Sequence, residues 1–175
     1  GSPAVTIVVT GTGFTPTTVI QFSGVSVQTT LLSSTEIRAT IPASQLNQGT
    51  ILQLSVIDGT QVVAADSGNN VQVSNPVPTV SILAPSSVLV GSPAGAITVT
   101  GTNFVSGITL AVNGSPRTTT YVSDTQLTAS LTAGDFLNAT PLLLNAVNPQ
   151  PGGGASGTIA LVVANPAPTI ASLSP

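Results

Sequence analysis

Residues 96–104 read A-I-T-V-T-G-T-N-F, and residues 6–14, ninety positions earlier, read T-I-V-V-T-G-T-G-F. In both, apolar side chains at every second position (Ile7 and Val9, Ile97 and Val99) alternate with a second set, Thr6, Val8 and Thr10 or Ala96, Thr98 and Thr100, the period of a strand with one buried face. A Gly-Thr pair and a phenylalanine follow at the same spacing. The likeness extends outward in both directions. Residues 1–85 pair with 91–175 at a constant offset of ninety without a gap, and 28 of the 85 pairs are identical. A fixed period of this length decides the architecture before any local element is assigned: the chain is two copies of one unit.

Composition sets what each copy can be. A unit of ninety residues buries ~60% of its unfolded surface and can hold its own core. That core must be aliphatic, since the 175 residues contain no Trp, Met or Cys, one Tyr and four Phe. Abundant Val and Thr favour strands. The charged residues are Arg38, Arg117, Glu36, Asp58, Asp66, Asp124 and Asp135, giving a net charge of −3. Two arginines release too few phosphate counterions for nucleic-acid binding and cannot hold an anionic membrane surface. Mean hydropathy is +0.51, yet the longest apolar run, residues 159–164, is far short of the ~20 that span a bilayer as a helix. A surface solvated by Ser, Thr, Asn and Gln rather than by charges points to an extracellular or cell-surface location. Without an initiator methionine or a signal peptide, the chain is expected to be a piece of a longer product.

Short apolar segments recur every 8 to 12 residues, separated by turn formers such as Ser23-Gly24, Asp58-Gly59, residues 67–70 and Asn113-Gly114. This spacing predicts an all-β sandwich, with residues 25–31 and 116–122 each one strand and residues 66–70 a loop. One helical turn is expected at residues 43–47 and another at 133–137. The inward set is Ile97, Val99, Phe104, Leu110, Val112, Leu127, Leu131, Leu142, Leu144, Leu161 and Val163 with their counterparts ninety residues earlier. Gly11 and Gly101 are read as turn formers ending a strand, and Phe14 and Phe104 as core plugs. Asn75-Pro76-Val77-Pro78, repeated as Asn165-Pro166-Ala167-Pro168, reads as an extended, semi-rigid joint.

The stretch 78–85, P-T-V-S-I-L-A-P, followed by Gly91, residues 97–104, Val112-Asn113-Gly114, residues 125–129 and Asn165-Pro166, resembles the IPT/TIG family of immunoglobulin-like domains. The resemblance implies two tandem immunoglobulin-like (E-set type) β-sandwiches: residues 1–75 as a first domain lacking its first strand, 76–165 as a complete second domain, and 166–175 as the first strand of a following repeat. It also implies a bacterial secreted or cell-surface array used as an adhesive or structural segment. The alternative is a carbohydrate- or protein-binding accessory module of a secreted enzyme, for which Tyr121 is the one aromatic candidate besides the phenylalanines.

Catalysis by an activated hydroxyl needs a base, and there is no His, Lys or Cys to serve; no enzyme and no cofactor are expected. Zinc and copper lack ligands for the same reason. Calcium takes carboxylate and amide oxygens, so Asp58, Asp66 and Asn69 are the candidate ligands, against their plainer reading as turn residues bonded to their own backbone. Asn113 and Asn138 head N-glycosylation sequons. At the chain's end, Pro168, Thr169, Ile170, Leu173 and Pro175 repeat Pro78, Thr79, Val80, Leu83 and Pro85. These residues are expected to complete the open edge of the first unit, either in a neighbouring copy, head to tail, or through adjacent repeats of one continuous polypeptide. The expected partners are therefore further copies of the same unit.

Overall fold

The computed structural model describes residues 2–172, with the backbone alone described over residues 63–68. The chain is all-β and forms two compact units, Gly1–Asn75 with Gln150–Gly152, and Pro76–Pro149 with Gly153–Pro175.

The first unit contains β1 (Val5–Thr10), β2 (Thr18–Phe22), β3 (Val25–Ser26), β4 (Gln28–Ser33), β5 (Glu36–Ile41), a 3-10 turn (Ala43–Gln45), β6 (Thr50–Asp58) and β7 (Gln61–Val73). They pair as two sheets, β1-β5-β4 and β3-β2-β6-β7. The second unit contains β8 (Thr79–Ala84), β9 (Ser87–Leu89), β10 (Gly95–Thr102), β11 (Thr109–Val112), β12 (Ser115–Arg117), β13 (Thr119–Ser123), β14 (Gln126–Leu131), a 3-10 turn (Ala133–Phe136), β15 (Leu142–Asn148), β16 (Gly154–Ala155) and β17 (Ile159–Ala164). Its sheets run β13-β14-β10-β8 and β12-β11-β15-β17-β9, with β16 beside β15. Between each pair of sheets lies an apolar core. Ile20, Phe22, Ile37, Ala39 and Ile41 are buried in the first unit, and every inward residue expected for the second is buried there, with Leu83, Ile108 and Phe136 added.

Three local expectations are corrected. Residues 66–70 do not form a loop: β7 runs through them and pairs with β6 in shifted registers on either side of Leu52–Leu54. The register jumps from Asp66 opposite Leu54 to Val71 opposite Leu52, so residues 67–70 are the extra residues of a bulge held within the strand by the pairing on either side. Residues 25–31 and 116–122 each break into two strands, because each segment leaves one sheet and joins the other. At both breaks one threonine closes the gap in the ladder. Thr29 Oγ1 accepts the Ile20 N–H at 3.2 Å and donates to the Val27 carbonyl at 2.9 Å. Ninety positions on, Thr119 Oγ1 accepts from Leu110 at 2.9 Å and donates to Arg117 at 2.8 Å.

The third correction concerns glycine. Gly101 lies within β10, and the left-handed residues of the following turn are Gly13 (φ 75°) and Asn103 (φ 62°), again ninety apart. What Gly101 supplies is the absence of a Cβ: one built there would stand 1.9 Å from the Thr79 carbonyl oxygen of β8 and 2.6 Å from Phe104 Cζ. The first strand of the domain thus crosses directly over a glycine floor, where the β8–β10 register also shifts.

Candidate functional site

The two units are built to one plan, and their difference defines the site. In the second, β8 pairs antiparallel with β10, and β9 pairs parallel with β17, so residues 79–89 close one side of the sandwich across both sheets. The first unit has no counterpart among the described residues. There β1 pairs with β5 alone, and β7 with β6 alone. A groove of about 710 Å3 opens along that side, lined by Ile7, Val9, Gly11, Phe14, Leu54, Val56, Asp58, Asn69 and Asn70 among others.

Burial registers the missing cover residue by residue. Phe104 is 2% exposed and Val99, Leu144 and Leu161 are fully buried, whereas Phe14, Val9, Leu54 and Val71, ninety positions earlier, are only half-buried. Residue type does not account for this, because the phenylalanine, the valine and one leucine are identical in the two units. Gly11, like Gly101, has no side chain to obstruct an approaching strand; a Cβ there would meet only the Phe14 ring, at 2.8 Å. The edge of β1 also leaves Val5 and Val8 exposed, an open pairing template of the kind sheet proteins usually cover.

The polar residues around the groove serve the fold. Asp58 Oδ1 accepts hydroxyl bonds from Thr17 (2.5 Å) and Thr15 (2.9 Å), which tie the loop before β2 to the end of β6. These bonds, Thr17 first, hold its carboxyl below the usual carboxylate range despite some opposing desolvation. Asp58 is thus bonded to side chains across the loop and to the Gly59 backbone of its own turn. Of the calcium candidates, Asp58 and Asn69 line the same groove, while the side chain of Asp66 lies outside the described residues. Among the described residues no group of three His, Cys, Asp or Glu is placed to hold a metal, and no helix is long and apolar enough to cross a membrane.

Asn113, at φ 49°, forms the β11–β12 turn and accepts the Leu143 N–H through Oδ1 at 2.9 Å, as Ser23 does for Gln53 in the first unit. Asn138 is exposed after the second 3-10 turn. Tyr121, on β13, is 40% exposed. In the terminal segment, Ile170 is 91% exposed; Leu173 and Pro175 lie outside the described residues.

One ion pair has no counterpart in the first unit. Arg117 Nη2 donates to Asp135 Oδ1 at 2.6 Å, with side chains 21% and 10% exposed, and Asp135 Oδ2 accepts the Thr132 N–H and hydroxyl at 2.8 and 2.9 Å. Burial pushes the Asp135 carboxyl up, but the Thr132 bonds and the Arg117 guanidinium outweigh it and hold the carboxyl below its ordinary range. A depressed folded pKa gives stability that is fully present above the unfolded value, about 3.9, and lost as pH falls through the folded one. Asp135→Asn is therefore expected to destabilise the second unit by roughly 1–3 kcal/mol at neutral pH, because the guanidinium loses its counter-charge. The deficit should begin to shrink below about pH 4, the unfolded value, and vanish only below the lowered folded pKa, where the wild-type carboxyl is itself protonated. Urea melts at neutral and acid pH check this, and a deficit independent of pH would refute the assigned role.

Comparison with known proteins agrees with the geometry. The family model of the IPT/TIG domain matches residues 1–75 and again 78–164. No curated protein matches the chain. Among solved structures, the full extracellular region of plexin A4 is 11% identical with a TM-score of 0.33, the likeness covering 83% of this chain and 21% of that one. The SGBP-B protein of the Bacteroides ovatus mixed-linkage glucan utilization locus, solved in complex with a mixed-linkage heptasaccharide, is 17% identical with a TM-score of 0.32, covering 93% of this chain and 42% of that one. The chain thus spans about a fifth and two fifths of these structures, and at such scores neither likeness bears on what it binds. The two sandwiches, their ninety-residue period and the double family match lead to one conclusion: this chain belongs to the IPT/TIG domain family, as two tandem members of it.

Proposed function

We propose that the chain is a structural or adhesive repeat segment of a bacterial extracellular array, without catalytic activity, whose work is to fold autonomously and set distance at the cell surface. The observation that carries this reading is the character of the outer faces. Across neighbouring strands, threonine hydroxyls pair with each other, Thr6 with Thr40 at 3.1 Å and Thr79 with Thr102 at 2.8 Å, in a chain with seven charged residues in all. Hydroxyl ladders solvate a sheet without long flexible side chains, which suits a repeat that must remain inert and ordered outside the cell. Protease shaving of intact source cells is expected to release fragments of this chain. Its recovery only from the cytosolic fraction would reject the reading.

The second reading, a carbohydrate- or protein-binding module, is supported by the exposed Tyr121 ring beside exposed Val122 on β13. Stacking on a sugar needs such a platform. If this reading holds, the purified chain is retarded in a polysaccharide affinity gel and Tyr121→Ala abolishes the shift; the structural reading expects no retardation in either protein.

A further inference from the structure

We infer that the outer face of the β11-β15-β17-β9 sheet is a self-association surface, on which the second unit of another copy of this chain packs face to face. This property lies beyond the array reading and holds whether or not that reading stands. The two units differ here. Leu143 on β15, Val162 on β17 and Leu89 on β9 alternate with core residues and so point away from the core, each about half exposed. Where the second unit carries Leu143 and Val162, the first carries Gln53 and Gln72, and in place of Ala111 it carries Gln21. The fold therefore accepts amides at these positions, and the aliphatic set is not a requirement of folding.

The rest of the surface is solvated differently. The threonine hydroxyl pairs lie on the other sheet of each unit, and no residue of β9, β11, β15 or β17 is charged. Contiguous aliphatic patches on a chain otherwise covered by hydroxyls and amides mark a contact surface.

The chemistry of the face selects its partner. Without charges or aromatic rings it offers only shape and aliphatic area, so what fits it is a surface of the same kind, and the face itself is one. Large and small side chains alternate across it: Leu143 stands opposite Ala160 and Leu89 opposite Ala164, with Val162 between the two alanines along β17. A two-fold axis in the plane of contact sets the large side chains of each copy over the alanines of the other, the isologous arrangement of a self-complementary patch. The two sheets then lie ~10 Å apart, as within a sandwich. Four strands ~4.8 Å apart, about five residues long at ~3.3 Å each, give roughly 300 Å2 a side. The pair thus buries on the order of 600 Å2, well under the ~1,200 Å2 of stable complexes and in the range of transient ones. The dimer is therefore weak, and gains strength only where several such units are linked.

The test is sedimentation equilibrium of the purified chain from micromolar to millimolar concentration. A reversible species at twice 17.2 kDa is expected. Leu143→Gln with Val162→Gln, which installs the first unit's own residues, should raise the concentration of half-dimerisation by about tenfold or more and leave the urea melt unchanged. Cross-linking gives a readout that does not depend on that pair of changes. Ala160→Cys, in a chain without native cysteine, should join two copies under mild oxidation, whereas Thr120→Cys, on β13 of the other sheet, should not. A chain that is monomeric at millimolar concentration overturns the inference, as does dimerisation that the paired substitution leaves intact or equal cross-linking of the two cysteine variants. Retardation of a monomeric chain in a polysaccharide affinity gel, abolished by Leu143→Gln with Val162→Gln, gives the face to a glycan and overturns the second copy as occupant. None of these outcomes touches the surface location, which the shaving experiment decides separately.

Discussion

Phe104→Ala is expected to lower the stability of the second unit by about 3–5 kcal/mol, the cost of emptying a ring-sized space in an aliphatic core. The ring is 2% exposed, and its Cζ lies under the point where β8 crosses Gly101. It therefore anchors the first strand of the domain as well as the core. Its partner in the repeat should behave differently. Phe14 follows the same Thr-Gly-Thr run two residues upstream but has no strand above it among the described residues, and it is half-buried, so Phe14→Ala should cost roughly 1–2 kcal/mol, in proportion to the smaller area withdrawn from water. Denaturant melts of the two variants compare like with like. Equal losses would mean that the groove is already closed in solution, and a loss under about 1 kcal/mol for Phe104→Ala would remove the ring from the core.

The second large effect is expected from a single methyl group. Gly101→Ala places a Cβ 1.9 Å from the Thr79 carbonyl oxygen, a backbone atom that cannot swing aside. Either β8 lifts from β10, exposing Leu83 and the Phe104 ring, or the strand shifts register and turns that face outward. Either way roughly 3 kcal/mol or more is lost, at the upper end of what overpacking costs. Limited proteolysis should then cut within residues 76–90, and urea melts should show the loss. Gly11→Ala meets only the edge of the Phe14 ring, which borders an open groove and can move, so its effect on the isolated chain should stay within about 1 kcal/mol. A tolerant Gly101 would show that β8 does not cross there.

Much of this was legible in the chain. The ninety-residue period, the alternation in residues 6–14 and 96–104 and the turn formers between short apolar segments specify two all-β sandwiches, because a strand's facing depends on its own period-two pattern. The second unit's inward side chains follow from the same pattern.

What the sequence could not decide depends on partners distant along the chain. Residues 66–70 carry every sign of a turn, yet β7 runs through them as a bulge, its register against β6 jumping from Asp66 opposite Leu54 to Val71 opposite Leu52, because the paired stretches on either side hold the segment in the strand. Thr29 and Thr119 look like ordinary strand threonines until the chain changes sheets beside them. Gly11 and Gly101 read alike, and the tertiary structure alone separates them: over Gly101 a backbone carbonyl lies closer than a methyl group allows, whereas the nearest atoms over Gly11 are those of the Phe14 ring. A residue's own pattern determines which face it presents, whereas what lies against that face is fixed only when the strands have assembled.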